Sequence, residues 1–180
     1  MVIDMPLTYK KIQFEIKEIS LDIIYSQEVV PGVLAHIRLT LLPMALYFGF
    51  YVACAFTDVF IQNIWLGLGL ISLAFWVFLT IFVSGYRSLF SMLPADAFDK
   101  YEILKLYKKK VIIYYSIWLC FIVIGGLVSV FTMLNILPLV AMTLLSTIIL
   151  SLLFHLDISR YQISSLFGAL IAVKESISDD

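Results

Sequence analysis

Four long apolar runs, grouped as two pairs, are separated by stretches that hold nearly all of the charge. Residues 39–57 are uncharged between Arg38 and Asp58, and 64–86 complete the first pair; 111–134 and 138–156 form the second. A hydrocarbon core about 30 Å thick needs about 20 apolar residues per helix, so each run is long enough for one crossing. Outer-membrane barrel strands would instead alternate over about ten residues, whereas these runs are continuous. The pattern predicts an all-α, polytopic membrane protein with four transmembrane helices in two hairpins.

The flanking segments carry a different periodicity. Within residues 9–28, Ile12, Ile16, Ile19 and Ile23 recur at helical spacing, with Lys11, Glu15, Glu18 and Asp22 on other faces. Ile12, Phe14 and Ile16 also alternate like a strand, but the longer repeat favours an amphipathic helix. Pro31-Gly32 then breaks it before the first span. In the middle segment, 87–110, Pro94 stops whatever follows the second span. Asp96 followed by Asp99 reads as a helix start, with a side-chain acceptor ahead of exposed backbone N–H groups. Residues 98–110 hold neither Gly nor Pro and run straight into Val111, predicting one long helix that becomes the third span. The tail, 157–180, places Leu166, Leu170, Val173 and Ile177 on one stripe and reads as a second amphipathic helix. The segments 1–38, 87–110 and 157–180 are each too short to bury a core alone. They must use one another, the bilayer or a partner. An interfacial helix is the plainer reading of 9–28, and a partner-binding surface the sharper one.

Charge orients this plan. All twelve Lys and Arg residues fall in 10–38, 87–110 and 160–174, and none lies between 39 and 86 or between 111 and 159. The positive-inside rule places both termini and the middle loop in the cytoplasm. The outer turns, 58–63 and 135–137, carry no basic residue, and Asp58 alone of the acidic residues lies there. The first 38 residues lack the short apolar core of a cleavable signal peptide. With 62% hydrophobic and 14% charged residues and a mean hydropathy of +1.03, the 180-residue chain falls outside the range of soluble domains. A net charge of −1 leaves nucleic-acid binding no electrostatic footprint. Lys105, Lys108, Lys109 and Lys110 form a basic cluster at the membrane surface, where each could gain about 1 kcal/mol from anionic lipid. An acidic partner is the other reading.

Small residues recur at four-residue spacing inside the runs: Ala45, Gly49, Ala53 and Thr57; Gly125 and Ser129; Thr143, Thr147 and Ser151. Such stripes let helix backbones approach closely. They point to packing within one bundle, with homo-oligomer contact as the alternative. Trp65, Tyr86, Tyr114 and Tyr115 sit near span ends as an aromatic belt would, while Trp76 and Trp118 lie deeper and read as packing residues. Cys54 and Cys120 fall at different depths in different spans, which argues for packing rather than a disulfide.

Catalytic and transport signatures are missing from the sequence. The runs hold no ionisable Asp, Glu, Lys or Arg of the kind that ion-coupled transport uses. His36 and His155, at the inner boundary, make only a weak zinc pair. There is no phosphate-binding loop, nucleophile elbow or dinucleotide fingerprint. The sequence reads as no enzyme and implies no cofactor.

The stretch Asp157-Ile158-Ser159-Arg160-Tyr161-Gln162-Ile163-Ser164 resembles a segment of the inner-membrane entry-exclusion proteins of F-type conjugative plasmids (the TraS group). Their size, four apolar segments and cytoplasmic termini match the plan of the whole chain; the specific likeness covers these eight residues. The resemblance implies a bacterial inner-membrane protein that blocks redundant DNA transfer by recognising a mating-pair stabilisation protein of the donor cell. Asp157, Arg160, Tyr161 and Gln162 are then candidate partner contacts. From the residues alone, Asp157 and Arg160 are i,i+3 and fit a local ion pair, and Arg160 with Tyr161 suits an interfacial anchor. A small oligomeric channel or carrier, and an accessory subunit of a larger membrane complex, are the competing readings.

Overall fold

The computed structural model describes residues 9–25, 33–91, 93–94 and 96–159. The Pro31-Gly32 break and the Leu166–Leu170–Val173–Ile177 stripe lie outside them. The described residues are all-helical, with no strand: α1 (Tyr9–Tyr25), α2 (Val33–Ala53) running into a 3-10 turn (Cys54–Phe56), α3 (Gln62–Phe90), α4 (Ala97–Lys100), α5 (Glu102–Phe131) and α6 (Leu137–Ser159). Three stretches, Gln62–Gly85, Glu102–Phe131 and Leu137–Ser159, are long and apolar enough to cross a membrane, and Thr40–Phe56 is a shorter apolar helix. Their outward faces carry Leu70, Phe78, Ile81, Ile112, Leu145, Ile148 and Leu152, all exposed. So much contiguous apolar surface is foreign to a soluble monomer.

The chain divides into two compact units, one of Met1–Val30, Ser88–Val111 and Leu153–Asp180, the other of Pro31–Arg87 and Ile112–Leu152. The first has its own core, in which Ile12, Ile16 and Ile19 of α1 join Leu93, Ala97, Tyr101, Ile103, Leu104 and Ile158. The 3.6-residue repeat therefore prevails over the short alternation at 12, 14 and 16, and Phe14 is left exposed.

Two local expectations are corrected here. The helix expected to run unbroken from residue 98 is interrupted at Tyr101, which is extended (φ −97°, ψ 128°). Tyr101 ends α4 through its N–H to the Ala97 carbonyl and opens α5 by accepting from Lys105 N–H. That extended residue buries its ring in the core, a gain that local propensity does not record. Asp96 precedes α4, but its side chain makes no cap bond. Its carbonyl oxygen receives the Asp99 and Lys100 N–H groups instead, each at 2.9 Å.

The second unit is built on rings. Trp76, 1% exposed, stands with its ring centroid 5.6 Å from Tyr47 and 5.8 Å from both Phe75 and Trp118. Tyr51 and Trp65 exchange hydrogen bonds: each side chain donates to the other's backbone carbonyl, at 2.8 and 3.1 Å. Most hydroxyls in the apolar helices are satisfied within their own helix, as Ser72 to Leu68, Thr80 to Trp76 and Thr143 to Leu139 show. This back-bonding to the i−4 carbonyl spares a buried donor without recruiting a second helix. At Gly126 the missing Cβ leaves room for the Phe50 ring.

Candidate recognition surface

Side chains with chemistry beyond packing concentrate in the first unit. The N-terminus of α5 leaves backbone N–H groups without intrahelical partners. Glu15, buried on α1, reaches one of them: Ile103 N–H donates to its carboxylate at 3.0 Å. A carboxylate there also complements the positive end of the helix dipole. On sequence alone Glu15 falls on a polar face of 9–28; in the fold its carboxylate joins α1 to α5.

Ion pairs surround this contact. Lys11 Nζ meets Glu102 at 2.6 Å. Asp22 accepts from Lys100 Nζ and from the Tyr101 hydroxyl, each at 2.6 Å. The hydrogen bond from Lys100, helped by that from Tyr101, holds the Asp22 carboxyl below its ordinary range. The same bond from the other side raises Lys100. Burial, reinforced by the Asp22 carboxylate, raises the Tyr101 hydroxyl. Lys110 and Asp157 pair at 2.7 Å and are both largely shielded.

That last pair joins two sequence-predicted groups. Asp157, which on sequence fits a local pair with Arg160, also meets Lys110 of α5, and Lys110 is half-buried there. Lys105, Lys108 and Lys109 stay exposed. Arg160, Tyr161 and Gln162 lie outside the described residues. On the described part of the tail, Ile158 is buried in the first core.

The small-residue positions separate into two groups, all in the second unit. Gly125 lies against α6, where a Cβ would sit 3.1 Å from Met142 Cβ and 3.3 Å from the Pro138 carbonyl. Ser129, fully buried, accepts from Leu139 N–H at 2.8 Å. Thr143 is buried, and Thr147 receives the Trp118 indole N–H at 2.9 Å. Ala45, Gly49 and Ser151 are exposed and Ala53 is half-buried; a Cβ on Gly49 would meet nothing within 4 Å. Cys54 is buried and Cys120 exposed, both as free thiols, so the packing role expected for Cys120 is corrected.

A residue without a motif of its own, Asn135, organises the second unit's turns. Asn135, at φ 49°, directs its side-chain NH2 toward Cys54 O (3.3 Å), Thr57 Oγ1 (2.8 Å) and Val59 O (3.2 Å), while its side-chain oxygen Oδ1 accepts from Ile136 N–H. Asn tolerates the left-handed region better than other residues with a Cβ, and its position in a three-residue turn was the available signal.

No family model, curated protein or solved structure matches this chain.

Proposed function

We propose that the chain is a four-span protein of the bacterial inner membrane, with α2, α3, α5 and α6 as its crossings and both termini cytoplasmic. It acts by protein–protein recognition rather than catalysis. The observation that carries this reading is the first unit. Three charged segments far apart in sequence share one core and a set of intersegment ion pairs. Residues too few to fold alone are thereby organised into a body with a fixed polar surface, which suits selection of a partner by shape and charge. Entry exclusion is the setting that the 157–164 resemblance suggests, with a donor mating-pair stabilisation protein as partner.

A mating assay tests the setting. Recipients producing the chain should take up an F-type plasmid less often than vector-only recipients, while uptake of an unrelated plasmid is unchanged. Equal uptake of the F-type plasmid rejects exclusion. A second reading, a channel or carrier made by oligomerisation, is favoured by the outward-facing Ala45 and Gly49. Solute or ion flux through reconstituted protein would support it, and tight vesicles would remove it.

A further inference from the structure

The geometry points to an anionic phospholipid site on the exposed face of α5, formed by Lys105, Lys108 and Lys109. These residues are i, i+3 and i+4, and so share one helix face. All three are exposed and make no ion pair with any described residue. The neighbouring charges are already matched: Glu102, one turn earlier, is held by Lys11, and Lys110 by Asp157. Among the described residues, three ammonium groups without an ion-pair partner therefore remain on one stripe. Four residues further along the same helix, that stripe continues as Ile112 and Ile113, 56% and 43% exposed.

A phospholipid has this same order of chemistry, an anionic phosphate followed by hydrocarbon. At 1.5 Å per residue the three lysines lie about 3 to 9 Å before Val111 along the axis. A headgroup layer is about 5 to 8 Å thick. Three ammonium groups at phosphate depth, leading into an isoleucine stripe, fit the headgroup and upper acyl chain of one anionic lipid.

The inference rests on α5 crossing the bilayer. Its test uses the full chain in nanodiscs, with native mass spectrometry reading retained phosphatidylglycerol against phosphatidylcholine. At low salt the wild-type chain should prefer phosphatidylglycerol about tenfold. The variant K105Q/K108Q/K109Q should lose the preference, K105R/K108R/K109R should keep it, and K10Q/K17Q on α1 should leave it unchanged. Circular dichroism of the glutamine variant should match wild type, since all three side chains are exposed. Undiminished preference in the glutamine variant would overturn the site, as would equal loss in K10Q/K17Q. Equal retention of both lipids by the wild-type chain would overturn it too and leave the face to an acidic protein segment. Failure of α5 to cross would show separately, as cysteines placed at its two ends being labelled from the same face of the nanodisc by an impermeant reagent.

Discussion

The two units meet the same demand, partners for their polar groups, by opposite means. In the first unit the partners come from other segments: Glu15 serves Ile103, Asp22 serves Lys100 and Tyr101, and Asp157 serves Lys110. In the second, most hydroxyls turn back on their own helix, and contact between helices is left to rings and small residues. Charged groups gain strength and direction from hydrogen bonding, so they can fix the register of short segments with little apolar area between them. Long apolar helices already have every backbone bond inside the segment. What they need from side chains is shape.

The comparison is most sharply tested at Trp76. Trp76→Ala should cost about 3–5 kcal/mol, the usual range for deleting a buried aromatic, read as a lowered midpoint for unfolding in mixed micelles. The indole N–H of Trp76 has no hydrogen-bond partner among the described residues, so Trp76→Phe should lose much less. Equal losses would mean that the indole nitrogen contributes and that shape is not the second unit's main resource. In the first unit the matching change is Glu15→Ala, which strands the Ile103 N–H. An unsatisfied buried donor costs about 1–3 kcal/mol. Amide exchange across α1 and at Ile103 should accelerate accordingly, and Glu15→Gln, which keeps an acceptor, should recover part of the protection. Unchanged exchange in Glu15→Ala would show that the apolar contacts of Ile12, Ile16 and Ile19 hold α1 alone.

The same contrast explains what could be read from sequence. Apolar length and the Ile12–Ile16–Ile19 repeat are local signals, and both mark helices. Glu15 and Ile103 are 88 residues apart, and no spacing announces that pair. Asp157 shows what local reading leaves out: it also meets Lys110, 47 residues distant, and no spacing announces that contact. The break at Tyr101 has no Gly or Pro to mark it, because its cause is the burial of one ring in a core assembled from elsewhere. Gly49 and Gly125 sit in equivalent small-residue patterns, but only Gly125 has a helix against it. Periodicity identifies a face and leaves the neighbour unspecified.

Asn135 is the exception within the second unit, a polar side chain that ties two turns together. Asn135→Ala should cost about 1–2 kcal/mol, combining the strain of a left-handed residue with a Cβ and the loss of the amide bonds. Asn135→Gly relieves the strain without restoring the bonds, and should fall between wild type and Ala. If Gly equals wild type in micelle unfolding, the amide contacts add nothing and the turn is held by its backbone alone.

The smallest effect should be pH-dependent and confined to the first unit. Asp22 sits below its ordinary carboxyl value of 3.8. Its contribution is therefore fully present above that value and is lost as pH falls through the lowered one. Lys100 and Tyr101 are raised from 10.5 and 10.0. Their contributions are present below those ordinary values and disappear as pH rises through the raised ones. Protection of α1 should thus show a plateau from about pH 4 to about pH 10, falling on both sides, with little matching change in the ring-packed unit. The Asp22 and Lys100 side chains are 35% and 49% exposed, so salt should shrink the difference between plateau and acid limb. Asp22→Asn should abolish the acid limb while leaving the core of Ile12, Ile16 and Ile19 in place. An acid limb that survives this substitution would overturn Asp22 as its source.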